Sequence, residues 1–79
     1  MEDKRTEAIE IALMLVDSRI KGAKRSLGYS REFLQAELKN AYCNGDSILR
    51  YALEIKELQA YITRLQEERE RIEMIRDYK

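Results

Sequence analysis

The chain of 79 residues carries 15 basic and 15 acidic side chains, no histidine, no proline and one cysteine, which allows one small domain but few of the usual supports for so small a core. A single cysteine forms no intrachain disulfide, and without histidine the ordinary zinc ligand sets cannot be assembled, so a partner chain is the support left. The balanced charge supplies no net field to draw in a polyanion; it argues against general DNA binding and equally against a strongly acidic DNA mimic.

With 38% charged and 44% hydrophobic residues, the composition is that of helix-rich bundles and coiled coils rather than of a disordered chain. No apolar run approaches the length of a membrane span, and the start MEDKRTEAIE is too acidic and polar for a signal peptide. The lone thiol suits a reducing compartment. A cytoplasmic protein with no membrane partner is expected.

In chain order, the first periodic set is Ile9, Leu13, Val16, Ile20, Ala23 and Leu27, whose steps alternate four and three. That is one face of a helix over residues 4–27. A second stripe, Ala8, Ile11, Leu15, Ser18, Gly22 and Ser26, lies well around the cylinder at about 100° per residue. Two buried sides are therefore expected, the second ending in three small residues that let another backbone approach. The stretch SLGYS is expected to end this helix, with Gly28 as a left-handed C-terminal cap and Ser30 as the N-cap of the next.

A second helix over residues 31–43 turns Phe33, Leu34, Leu38, Ala41 and Tyr42 toward the core. It ends at NGDS, with Gly45 as cap and Asp46 or Ser47 restarting the chain. The third, over residues 47–77, has a heptad seam of Ile48, Tyr51, Ile55, Leu58, Ile62 and Leu65; Arg69 then stands where an apolar residue is due, and the seam resumes at Ile72. The fold expected is all-α: one helical domain over residues 1–79, with three helices (long, short, long) in a bundle whose C-terminal helix is coiled-coil-like.

At about 1.5 Å per residue the short second helix cannot cover the third, which leaves Ile72, Met74, Ile75 and Tyr78 projecting. Ile48, Tyr51, Ile55, Leu58, Ile62, Leu65, Ile72 and Ile75 are accordingly expected to form the interface of a homo-oligomer, a dimer or larger. Arg69 on this seam either specifies the assembly or rests its stem on the apolar surface with its head in solvent.

Catalysis is not expected, because the most versatile general base, histidine, is missing, and no cofactor is implied. The carboxylates in QEERERIEMIRD fall at the spacing of exposed ion pairs, Glu67 with Arg71 and Arg69 with Glu73. Ser26, Ser30 and Ser47 lack a base to activate them. Cys43 at a helix C-terminus meets the negative end of the dipole, which disfavours the thiolate. The three glycines are isolated and form no phosphate-cradling loop.

Between Asp17 and Glu32 lie Arg19, Lys21, Lys24, Arg25 and Arg31 with no acidic residue among them. Acids first and bases last suits the dipole of a single helix, and Asp17 with Lys21 has the spacing of an ion pair. An anion pocket is the alternative: Lys21, Lys24, Arg25 and Arg31 hold phosphate oxygens, Tyr29 stacks on a base, and the free N-terminus of the second helix adds donors. A helix-turn-helix reader of specific DNA is disfavoured, since residues 31–43 balance Arg31 and Lys39 against Glu32 and Glu37.

Two functions are thus expected. The first is a non-catalytic helical binding protein, an adaptor, regulator or inhibitor of a larger protein, acting as a homo-oligomer. Compact helical chains of this kind are often supplied by phages and other mobile elements to act on host systems. The second is a binder of a phosphate-bearing ligand (nucleotide, cyclic nucleotide or short RNA) at the basic corner.

Overall fold

The steps of four and three that begin at Ile9 do not stop at Leu27: they continue in phase through Ser30, Leu34 and Glu37. A seam that keeps phase across a glycine belongs to one helix, because a corner between two helices would release the phase. The computed structural model describes residues 2–40, 42 and 44–77 and contains two helices there, not three. Helix α1 is Glu2–Lys39 and helix α2 is Gly45–Asp77. They pack antiparallel as a hairpin 63 Å long and 14 Å by 13 Å across.

The expected corner at residues 28–30 is therefore absent. Gly28 has no positive φ and lies inside α1, while Ser30, expected as an N-cap, is a buried member of the seam. Glycine in a helix interior costs roughly 1 kcal/mol relative to alanine. Breaking the helix there would forfeit the packing of Leu27 and Leu34 on α2, both half-buried, which together contribute about 1.5–3 kcal/mol, as much as one such side chain at full burial. Burial outweighs the glycine, and the helix runs on.

The seam of α1 buries Leu13, Ile20, Ala23 and Ser30, with Ile9, Val16, Leu27 and Leu34 half-buried. That of α2 buries Ile62 and Leu65, with Ile48, Tyr51, Ile55, Leu58, Arg69 and Ile72 half-buried. Two cross-helix pairs fix the register: Asp17 with Arg69 near the open end, and the stacked rings of Phe33 and Tyr51, centroids 5.9 Å apart, near the turn. In this register Ala23 lies level with Ile62 and Leu13 with Ile72. None of the described side chains is completely buried, as a core one seam wide dictates.

Other expectations shift with the helix count. Of the residues assigned to the core of a second helix, Leu34 is half-buried, whereas Phe33, Leu38 and Tyr42 are mostly exposed; Ala41 lies outside the described residues. The stripe Ala8, Ile11, Leu15, Ser18, Gly22 and Ser26, expected to be a second buried side, is exposed throughout. Nor does α2 project past a short neighbour, because α1, with 38 residues, outreaches its 33.

The turn is closed by asparagine, not by glycine. Asn40 N–H donates to the Glu37 carbonyl (3.1 Å), and Tyr42 N–H donates to Asn40 Oδ1 (3.0 Å). Asn44 is the N-cap of α2: its Oδ1 accepts Asp46 N–H at 2.9 Å and its carbonyl accepts Ile48 N–H at 3.1 Å. Glu37 Oε1 in turn accepts Asn44 N–H at 3.0 Å, tying the end of α1 to the start of α2. Gly45, expected to cap the preceding helix, is instead the first residue of α2.

Candidate functional site

The side chains expected to bind another chain face α1 of the same chain. Ile62 and Leu65 are buried there, and Ile48, Tyr51, Ile55, Leu58 and Ile72 are half-buried. Ile75, one position off the seam, is about half exposed, and Met74 more so. Tyr78 lies outside the described residues. The hairpin itself thus uses this seam, and it covers most of these side chains only in part.

Arg69 occupies its seam position by reaching out of it. Its Nε donates to Asp17 Oδ1 across the hairpin at 2.6 Å, and its Nη1 pairs with Glu73 one turn along α2. The guanidinium is only partly desolvated, with the Arg69 and Asp17 side chains 37% and 51% exposed. Asp17 thus pairs across the hairpin and not with Lys21. On α2, Arg71 pairs with Glu68 in place of Glu67, while the expected Arg69–Glu73 pair forms.

Lys21, Lys24, Arg25, Tyr29 and Arg31 are all exposed on the outside of one continuous helix. At about 100° per residue they spread over some 160° of its circumference. No helix begins at Arg31, so the free backbone donors of the anion pocket are not there. None of the five lines the groove beside the seam or the one near the open end.

The larger groove, about 600 Å³, runs beside the seam and is lined by Ser26 and Ser30 of α1 and Glu54, Glu57, Leu58, Tyr61 and Arg64 of α2. The smaller, about 390 Å³ near the open end, has Arg5 and Arg71 over Met74 and Ile75. Among the described residues, no three His, Cys, Asp or Glu side chains cluster as a metal site would need, and no helix is long and apolar enough to cross a membrane. Cys43 lies outside the described residues.

What the structure gathers instead is apolar surface. Ile11, Leu15, Tyr29 and Phe33 of α1 are each more than half exposed, and they lie on one stripe with Ser18, Gly22 and Ser26 between them. The stripe expected from the sequence ends at Ser26, ahead of the expected corner after Leu27. The steps from Ser26 to Tyr29 to Phe33, three then four, were the available sign that it continues. At the turn end, Leu38, Leu49 and Leu53 add further exposed apolar area. Comparison of the chain with protein-family models, with curated proteins and with solved structures finds no match.

Proposed function

We propose that the chain is a non-catalytic helical binding protein, an adaptor, regulator or inhibitor that self-associates and presents its remaining helical surface to a larger protein. One observation carries this reading: among the described residues, eleven large apolar side chains are more than half exposed, against five buried hydrophobic ones. A hairpin one seam wide supplies little burial, and apolar surface on this scale is a feature of interaction sites. The phosphate-ligand reading rested on a corner between two helices and has no enclosed site on a continuous α1.

A photo-crosslinking residue in place of Leu49, on exposed α2 surface, tests the reading in cells that naturally make the chain. The expected result is a discrete adduct with a larger protein, competed away by excess unlabelled chain. Adducts with itself alone, or none, would overturn the binding of a larger protein.

A further inference from the structure

We infer that a second copy of this chain covers the exposed stripe of α1, antiparallel to the first, across a two-fold axis at Gly22. The spacing of the stripe, small at the centre and large at the ends, is the same in both directions: Ser18 and Ser26 lie four residues either side of Gly22, Leu15 and Tyr29 seven, Ile11 and Phe33 eleven. An isologous contact demands this property, since residue i must meet j while j meets i. Reversed on itself about Gly22, the stripe sets Leu15 against Tyr29 of the second copy and Ile11 against Phe33, large aliphatic against aromatic at both ends. The small residues fall at the centre, where the backbones approach most closely.

Nothing within the hairpin accounts for Gly22. Its φ is not positive, and a Cβ added there meets no atom within 4 Å, although glycine weakens a helix relative to alanine. A contact running from residue 11 to residue 33 spans about 33 Å. It buries on the order of 1,200 Å² over both copies, the lower bound for a specific stable interface. The flanks oppose: the axis brings Arg19 near its own mate on one side of the stripe and Arg25 near Lys21 of the second copy on the other, so screening these exposed charges tightens the dimer. An acidic helix of a foreign protein on the same stripe would show the reverse, weakening with salt.

This inference rests on the reading of the chain as a self-associating helical protein, and its test is separate from the Leu49 crosslink. Sedimentation velocity on the purified full chain should find a dimer that strengthens with sodium chloride. Gly22→Leu places a bulky side chain at the axis in space the hairpin leaves open. It should keep the helical circular dichroism and raise the dimer dissociation constant on the order of a hundredfold; Leu15→Glu should do the same.

Orientation is read from cysteine variants in a Cys43→Ser background. Ile11→Cys chains mixed with Phe33→Cys chains should oxidise to a mixed dimer, with little product from either alone. A wild-type chain monomeric throughout the micromolar range, a Gly22→Leu chain that dimerises as well as wild type, or a dimer that weakens with salt would overturn the inference. A monomer that still forms foreign adducts at Leu49 defeats this inference but leaves larger-protein binding intact. A two-fold dimer without such adducts does the opposite.

Discussion

The Arg69 guanidinium on α2 reaches the Asp17 carboxylate on α1 at 2.6 Å while also holding Glu73 of its own helix. One seam position is thereby given to a charge that crosses the hairpin, and with the Phe33–Tyr51 stack it fixes which turn of α1 lies level with which turn of α2. Because the Asp17 side chain is half exposed and that of Arg69 more than a third, the pair sets register more than it stabilises. A double-mutant cycle with Asp17→Ala and Arg69→Ala should give a coupling of about 0.2–1 kcal/mol, smaller at high salt.

Arg69→Leu should raise the melting temperature, since it continues the apolar seam beside Val16 and Ile72 at the expense of a weak exposed pair. Thermal unfolding followed by circular dichroism checks this. A lower melting temperature would mean that the bridge is worth more than its exposure allows.

Ile62→Ala and Leu65→Ala remove the two buried side chains of α2. Each should destabilise by about 2–3 kcal/mol, the lower part of the range for such deletions, because so narrow a core readily relaxes around the loss. Leu49→Ala, at an exposed site, should change stability by less than about 0.5 kcal/mol. Urea unfolding at fixed protein concentration distinguishes them.

Asn44→Ala should cost about 1 kcal/mol, since it removes the side-chain acceptor of the Asp46 N–H. Ser47→Ala should be close to neutral, because the helix has already begun at Gly45. Equal losses at both positions would place the helix start later than the structure does.

Much of the hairpin was legible in the residues. The α2 seam from Ile48 to Ile72 and the α1 seam from Ile9 to Leu27 follow from steps of three and four, which burial of one helix face imposes. The turn at NGDS was legible as well. Its capping residue was not, because Asn44, Asp46 and Ser47 are all competent N-caps and only the geometry of the turn selects among them. The false corner came from giving Gly28 and Ser30 their local preferences, when the phase running on through Ser30, Leu34 and Glu37 outweighs both. The same error hid Tyr29 and Phe33 from the second stripe. A binding surface leaves a fainter trace than a catalytic one, since apolar side chains at helical spacing are the same whether the covering helix is in the chain or in a partner.

Gly28→Ala separates the two placements of that glycine. In the interior of α1, with no positive φ and open space at its Cβ, the change should stabilise by about 0.5–1 kcal/mol. At that scale the melting temperature rises by roughly 2–8 °C for a domain of this size. A left-handed cap would instead be destabilised by it.

Helix α1 runs unbroken from one end of the hairpin to the other, and the distance between its ends is a direct readout of that continuity. Spin labels at Glu7→Cys and Lys39→Cys, in a Cys43→Ser background and diluted into excess unlabelled chain, report the separation within one molecule by pulsed dipolar spectroscopy. A continuous helix places these 32-residue-separated positions about 48 Å apart, with a single narrow distribution. A chain that turned back at Gly28 would bring them within roughly 25 Å, and that result would contradict the two-helix account.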